Sequence, residues 1–323
     1  MALRRRRAIW DVVIIGAGFA GLTAAWQTSR RGLSVAVFEE QPACGGQVST
    51  VNTLDDWPAT GETSGVELAS TLAERLHTEG VAFFHEAVTA VTPGARKDGD
   101  KPLVLVQGAT EERQLRARRV ILASGAKLRT LGVPGEEKLR GKGVSQCAHC
   151  DGGFFKGQDV AVIGSGDAAM QEALVLTEMC KTVHVVVRGN LKARRAFSER
   201  VDSKTNVKWV WDSEVEEVLG GDAVTGLRLR NVKSGAKSEL ACAGAFPFVG
   251  VTPNGAYLPA SVKRDAAGCV ITDAQCRTSD AALFAIGALR SGYAGDLVNA
   301  VGEAGALKVY GSGSKAKFDF DRV

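Results

Sequence analysis

Asp11-Val12-Val13-Ile14-Ile15-Gly16-Ala17-Gly18-Phe19-Ala20-Gly21 is the stretch on which the fold turns. A short run of buried-strand type enters three glycines spaced G-x-G-x-x-G, and Leu22-Thr23-Ala24-Ala25-Trp26 continues as a helix. Such a glycine pattern alone is weak, because glycine-rich turns are common, but here its context is complete. The first two glycines permit the tight turn and a close pyrophosphate approach. The third lets helix pack on strand, and the helix N-terminus faces the phosphates. Residues Leu33 to Phe38 read as the next strand, ending at Glu39, 18 residues past Gly21. A carboxylate there accepts hydrogen bonds from a ribose diol, so a dinucleotide with an unmodified ribose, FAD or NAD, is expected.

The plan recurs. Asp159-Val160-Ala161-Val162-Ile163 leads into Gly164-Ser165-Gly166-Asp167-Ala168-Ala169, a helix through about Cys180, and a strand from Val183 to Val187. Gly164, Gly166 and Ala169 take the turn, approach and packing positions. This strand ends on Arg188 rather than an acid, and a cation there suits a 2′-phosphate, hence NADP over NAD. The expected fold class is therefore α/β with two Rossmann-like dinucleotide-binding domains, the second inserted in the first. The expected boundaries are 1–127 and 249–323 for the first domain and 128–248 for the second. Leu131-Gly132-Val133-Pro134-Gly135 marks the first crossing, and the segment from Phe248 to Asn254 the second. Helices are expected near Val66 to Glu79 and from Leu297 to about Tyr310.

Length and composition agree with this plan. The 323 residues suffice for two cores, and 24% charged residues are ordinary for a folded chain. With 40 Lys+Arg against 36 Asp+Glu, the net charge of +4 argues against a nucleic-acid binder. No apolar run is long enough to span a membrane. After Met1-Ala2-Leu3, Arg4 to Arg7 lead straight to the first strand, without the apolar stretch of a signal peptide, so a cytoplasmic location is expected. Arg4 to Arg7 and the basic tail from Gly311 to Lys317 read as solvated segments.

Seven scattered cysteines do not form a secreted disulfide framework. One pair stands apart, Cys147-Ala148-His149-Cys150. Its two thiols lie one turn apart, able to form a disulfide and to attack one. Cys180 and His184 raise a zinc reading, yet both are more simply core residues of the second unit, and no metal is expected. His149 places a cation beside a thiolate, which stabilises the reduced pair and makes its disulfide more oxidising. Asp151 can shuttle a proton for a thiol leaving group or serve as a cap. Trp209 and Trp211 read as strand packing, and Cys44, which precedes Gly45-Gly46-Gln47, as a buried small residue.

Together these motifs resemble the low-molecular-weight thioredoxin reductases over essentially the whole chain. Further matching stretches are Gly45-Gly46-Gln47, Asp55-Asp56-Trp57-Pro58, Phe248-Val249-Gly250-Val251-Thr252-Pro253-Asn254 and Phe284-Ala285-Ile286-Gly287. The resemblance implies a homodimeric flavoprotein holding FAD in the first domain, with Gly16, Gly18, Gly21, Glu39, Gly46, Gln47, Asp56, Gly287 and Asp296 around it. It also implies that Cys150 faces the flavin, Cys147 exchanges with substrate and Asp151 assists. The departures are equally specific. The family's His-Arg-Arg clamp for NADPH is here Val187-Arg188-Gly189, with Lys192 following. The Gly-Asp that holds the ribityl chain has become Gly287-Ala288, Arg-Gln near the flavin aligns with Gly295-Asp296, and the Asn before Trp-Pro is Asp56.

That pattern is similar to the thioredoxin-reductase-like dithiol oxidases that close disulfides in natural products of the romidepsin, gliotoxin and holomycin type. In the expected cycle a substrate thiolate attacks the Cys147–Cys150 disulfide at Cys147. A second substrate thiolate then displaces Cys147, and the electrons leave through the flavin to O₂. The alternative is an NADPH-dependent reductase of thioredoxin or a related disulfide, using Gly164, Gly166, Ala169 and Arg188. The expected partners are accordingly a small dithiol or disulfide, or a thioredoxin-like protein.

Overall fold

The computed structural model describes residues 9–309 apart from 52–53, 55–56, 59–62 and 100. Arg4 to Arg7, Asp55, Asp56 and the segment 311–317 lie outside the described residues. The chain divides into two compact units: Met1–Ala126 with Pro253–Val323, and Lys127–Thr252.

The first unit begins with β1 (Trp10–Ile15), α1 (Phe19–Ser29), β2 (Val35–Glu39), α2 (Gly65–Thr78), β3 (Ala82–His85), β4 (Val88–Asp98), β5 (Lys101–Gly108) and β6 (Gln114–Leu122). After β7 (Ala126–Leu128), the second unit holds α3 (Ala148–Asp151), β8 (Asp159–Ile163), α4 (Asp167–Thr177), β9 (Thr182–Val186), α5 (Arg195–Asp202) and β10 (Val207–Val210). It continues through β11 (Ser213–Gly220), β12 (Val224–Asn231), β13 (Lys237–Ala241) and β14 (Gly244–Pro247). The chain returns through β15 (Val251–Pro253), β16 (Leu283–Ala285) and α6 (Leu297–Ala306). At the two crossings, β7 and β15 pair with each other.

In the first unit the sheet runs in the order β3-β2-β1-β6-β5-β4, with β16 also on β6. The nine residues of β6 make this branch: its first half pairs antiparallel with β5, and Val120 to Leu122 pair parallel with Leu283 to Ala285. The alternation of strand side chains sends Val12 and Ile14 into a core with α1, α2 and α6, while Val13 and Ile15 enter a second core on the other face. Burial on both faces explains why β1 reads as a continuous apolar run. Ser64 starts α2 by accepting from the Glu67 N–H at 3.1 Å, in the S-x-x-E arrangement, and Arg75 and His77 occupy its last turn.

The second unit has a parallel sheet, β10-β9-β8-β14. One face packs on α4 and α5 through Val160, Val162, Val183 and Val185. The other, through Ala161, Ile163 and Val186, is covered by the antiparallel β11-β12-β13 sheet.

Several expectations shift. The Leu131 to Gly135 stretch belongs to the second unit: Glu136 accepts from Leu131 N and Gly132 N at 2.9 and 2.8 Å, and Gly135 packs under the Val218 carbonyl. The last helix ends at Ala306, because Leu307 and Val309 turn into the α1/α6 core, and Tyr310 lies outside the described residues. Helix α4 stops at Thr177, three residues before Cys180. Trp209 is strand-borne and half-buried, but Trp211 lies past the strand, 44% exposed and stacked on Trp209 at 4.9 Å.

One buried ion pair fastens the returning segment. Glu303 Oε2 accepts from Gly287 N at 2.7 Å, and its Oε1 accepts from Arg290 Nε and Nη2 at 2.8 and 2.5 Å. Removing one partner of such a pair leaves an uncompensated charge, so Glu303→Ala is expected to lower stability by about 3–5 kcal/mol. Urea unfolding measures this, and an unchanged midpoint would show that the pair does not hold the segment.

Candidate active site: two glycine loops and a helix-borne disulfide

In the first unit the loop from β1 to α1 works by lacking side chains. A Cβ at Gly16 would stand 2.4 Å from the Ala123 carbonyl oxygen, and Gly16 itself has φ +100°. A Cβ at Gly21 would stand 1.9 Å from the Gly16 oxygen. Gly18 differs: it is the N-cap of α1, no side chain caps the helix, its first turn carries no acid, and a Cβ there would meet nothing closer than 4.0 Å. The N-terminal N–H groups of α1 thus face an approach that only a small residue keeps open, as a pyrophosphate requires.

Glu39 closes β2 beside this loop and is buried. Its Oε2 accepts from Ala17 N at 2.7 Å and its Oε1 from Gln41 N at 2.9 Å, which fixes the carboxylate at the strand end. Gly45 bridges to Gly18 and donates its N–H to the Ala17 oxygen at 2.7 Å. At Gly46, with φ +58°, an added Cβ would stand 3.1 Å from Gly18 Cα. Gln47 donates Nε2 to the Ala126 oxygen at 2.6 Å. Cys44, half-buried next to these glycines, has its thiol pKa raised by burial and by Glu39. Gly287 is buried with its N–H on Glu303. Asp296 caps α6, accepting from Asn299 N at 2.7 Å. Asp56 lies outside the described residues.

In the second unit Gly164 takes the turn, where a Cβ would stand 2.3 Å from the Phe248 oxygen, and Gly166 caps α4 with open space around it. Ala169 is buried beneath the loop. The segment after β9 folds back over this loop: Lys192 N and Ala193 N both donate to the Ser165 oxygen, at 2.8 and 2.9 Å. Arg188 and Lys192 are exposed on that segment. Asp167, in the first turn of α4, is taken by Arg194, through N at 2.7 Å and Nε at 2.6 Å.

Cys147 and Cys150 are joined in a disulfide with Cα atoms 5.3 Å apart. The segment before them is tied to the sheet, since Ser145 N donates to the Ala245 oxygen and Ser145 Oγ accepts from Cys147 N, both at 3.1 Å. Cys147 is the N-cap of α3, and its sulfur accepts from Cys150 N at 3.2 Å. An N–H directed at a sulfur is the kind of donor that stabilises a thiolate. Ala148 is buried against α4, while His149 and Cys150 are exposed and Asp151 ends the short helix. Three residues beyond α3, Phe154 is 78% exposed.

One participant was not found from sequence. Glu172, on α4, accepts from Ala148 N at 2.6 Å. Burial raises its carboxyl pKa, while the Ala148 N–H and His149 pull it down. The only sequence signal was an acid among the apolar positions Met170, Ala173 and Leu176, which is common at a helix border. The zinc reading loses its geometry. Cys180 lies in the α4/α5 core, where burial pushes its thiol pKa up to about 11, and His184 alternates to the opposite face of β9. Among the described residues no cluster of three or more His, Cys, Asp or Glu is arranged to hold a metal. Nor does any helix there have the length and apolarity to cross a membrane.

The model of the family described as pyridine nucleotide-disulphide oxidoreductase matches residues 10–304. The chain belongs to that family. A thioredoxin reductase from Treponema pallidum is 36% identical over 94% of this chain and 96% of its own length. A bifunctional thioredoxin reductase/thioredoxin from Mycobacterium leprae is 36% identical over 97% of this chain and 66% of its own. The crystal structure of Lactococcus lactis thioredoxin reductase superposes with a TM-score of 0.85 at 34% identity, covering 92% of this chain and 96% of that one. Within the pyridine nucleotide-disulphide oxidoreductases the chain is thioredoxin reductase-like, a flavin-dependent disulfide oxidoreductase, and the oxidase expectation draws no support from these names.

The first glycine loop fits the ADP half of the family's FAD. Gly16 and Gly21 shape the turn, Gly18 opens it, and the Glu39 carboxylate is anchored beside it at the end of β2. The two contact glycines should separate under mutation. Gly18→Ala is expected to change stability by no more than about 0.5 kcal/mol, yet to reduce bound flavin at least about tenfold. Gly21→Ala should lose both. Flavin absorbance per protein and thermal unfolding check this, and full flavin content in Gly18→Ala would overturn the assignment.

Proposed function

We propose that the chain is an NADPH-dependent reductase of a disulfide carried by a thioredoxin-like protein. The observation that carries this reading is the Cys147–Cys150 disulfide at the N-terminus of α3, with Cys147 held as the N-cap by the Cys150 N–H. The names of the relatives support this direction of electron flow over the oxidase direction. In this reading the first unit is the FAD domain, Gln47, Gly287 and Asp296 border the bound flavin, and the inserted unit is the NADPH domain.

FAD, when bound, supplies the two-electron chemistry between nicotinamide and disulfide. The chain's own residues do the rest. In the reduced pair the Cys147 thiolate, stabilised by the helix terminus, attacks the partner's disulfide and expels one partner thiolate. The Cys150 thiolate then attacks Cys147, releases the second partner thiolate and restores the intramolecular disulfide. Asp151 relays a proton to the leaving sulfur, with the exposed His149 ring beside the pair. The exposed Phe154 ring gives a protein partner an apolar contact close to the reacting sulfurs.

Arg188 and Lys192 lie on the segment that closes over Ser165, beside the second glycine loop. They are the cations for the NADPH 2′-phosphate, with Gly164, Gly166 and Ala169 shaping the pyrophosphate turn. The dithiol-oxidase reading retains in its favour the departures from the reductase pattern, Gly189 in the NADPH clamp and Ala288 and Asp296 near the flavin.

Anaerobic mixing with NADPH discriminates. Fast, stoichiometric bleaching of the flavin band followed by disulfide reduction is expected. Bleaching by a small dithiol alone, reversed by air with peroxide formed, would instead make the protein an oxidase. Arg188→Ala is expected to raise the KM for NADPH about tenfold and leave that for NADH unchanged. Steady-state kinetics with both nucleotides read this, and equal effects on the two would remove Arg188 from the phosphate site.

A further inference from the structure

The disulfide stands where two opposed electrostatic influences meet. A helix N-terminus and a neighbouring imidazolium both favour thiolate, which stabilises the reduced pair and makes the disulfide oxidising. Here Cys147 caps α3, and the His149 ring lies next to Cys150 in the chain. A reductase needs the opposite bias, because a pair that holds its electrons tightly does not pass them on.

Glu172 supplies that opposite bias. Its Oε2 lies 2.6 Å from the N–H of Ala148, the residue bonded directly to Cys147. The geometry has two effects. First, it occupies a first-turn N–H that is otherwise directed towards charge at the Cys147 end. The first-turn groups are then divided, with Ala148 N on Glu172, Cys150 N on the Cys147 sulfur and Asp151 N on the Cys147 oxygen. Second, it brings a carboxylate within hydrogen-bond reach of the peptide N–H that directly follows Cys147. The side chain is partly buried, so water screens it less than an exposed acid. Helix α4 holds it there from 24 residues away, because Ala148 packs into the α4 core with Met170, Ala173 and Leu176.

We propose that Glu172 is a positioning residue that braces the first turn of α3 and, by its charge, holds the Cys147–Cys150 pair at a more reducing potential than its helix-terminal placement alone would give. The inference rests on the reductase reading for its purpose, but its physical content concerns only the equilibrium of this disulfide.

The test equilibrates the purified flavoprotein with mixtures of reduced and oxidised dithiothreitol. Two electrons and two protons pass from dithiothreitol to the disulfide, whose S–S bond breaks as the dithiothreitol ring closes. Alkylation and mass measurement then count the thiols of Cys147 and Cys150. Glu172→Gln keeps an acceptor for the Ala148 N–H and removes only the charge. It is expected to shift the equilibrium about tenfold towards the dithiol, about 30 mV for a two-electron couple. It should also lower the thiol pKa of Cys147, read from the pH dependence of its alkylation in a Cys150→Ser background.

A bracing role alone would leave Glu172→Gln at the wild-type equilibrium and wild-type thiol pKa, and that result overturns the proposal. If Glu172→Gln does not fold, Glu172→Asp, which withdraws the charge by one methylene, is expected to shift the equilibrium the same way by a smaller factor. No shift, or one in the other direction, overturns the proposal equally. Failure of NADPH to bleach the flavin would sink the reductase reading while leaving this equilibrium measurable, so the two failures are distinguishable.

Discussion

The first unit depends on one contact that exists because two side chains are missing. Gly21 lies so close to the Gly16 carbonyl that a single methyl group would stand inside that oxygen. This approach lets α1 begin directly at the end of β1, close-packed on the sheet, with its N-terminus turned to the loop. Everything that reads as a dinucleotide site follows from it. Gly18 is held open, Gly45 is bonded to Ala17, and Glu39 is anchored to the same Ala17 from the end of β2. The second unit repeats the device with Gly164 against Phe248 and with Ala169 in the packing position.

A second principle runs through both units: buried or partly buried carboxylates brace backbone. Glu39 receives Ala17 and Gln41, Glu136 receives Leu131 and Gly132, Glu172 receives Ala148, and Glu303 receives Gly287. In each case an acid satisfies N–H groups in a turn that no strand or helix neighbour could reach. Three of these turns carry motif residues: the first glycine loop, the CxxC helix and Gly287. Loops that must keep an unusual shape are thus fixed by charge-assisted hydrogen bonds of 2.6–2.9 Å rather than by apolar packing alone.

What could be read from the sequence was what chemistry writes locally. Strand, glycine loop and helix follow one another within about twenty residues, and their periods and the Cβ constraint are visible there. The Cys147–Cys150 pair is equally local. Glu172 and Glu303 were not legible, because their partners lie 24 and 16 residues away and nothing in an acid's neighbours names the N–H that it will meet. The end of α6 was misjudged for a related reason. Leu307 and Val309 fit a helical pattern, but tertiary burial against α1 turned the chain extended.

The paired indoles of Trp209 and Trp211 have an optical consequence. Of five tryptophans, Trp10, Trp26 and Trp57 belong to the first unit, and only these two to the second. Their rings stack at 4.9 Å with planes 17° apart, close enough for their excited states to couple. A coupled pair gives a signed couplet in ultraviolet circular dichroism that isolated indoles lack. The inserted unit therefore carries its own spectroscopic label, and its unfolding can be followed by light without any added dye.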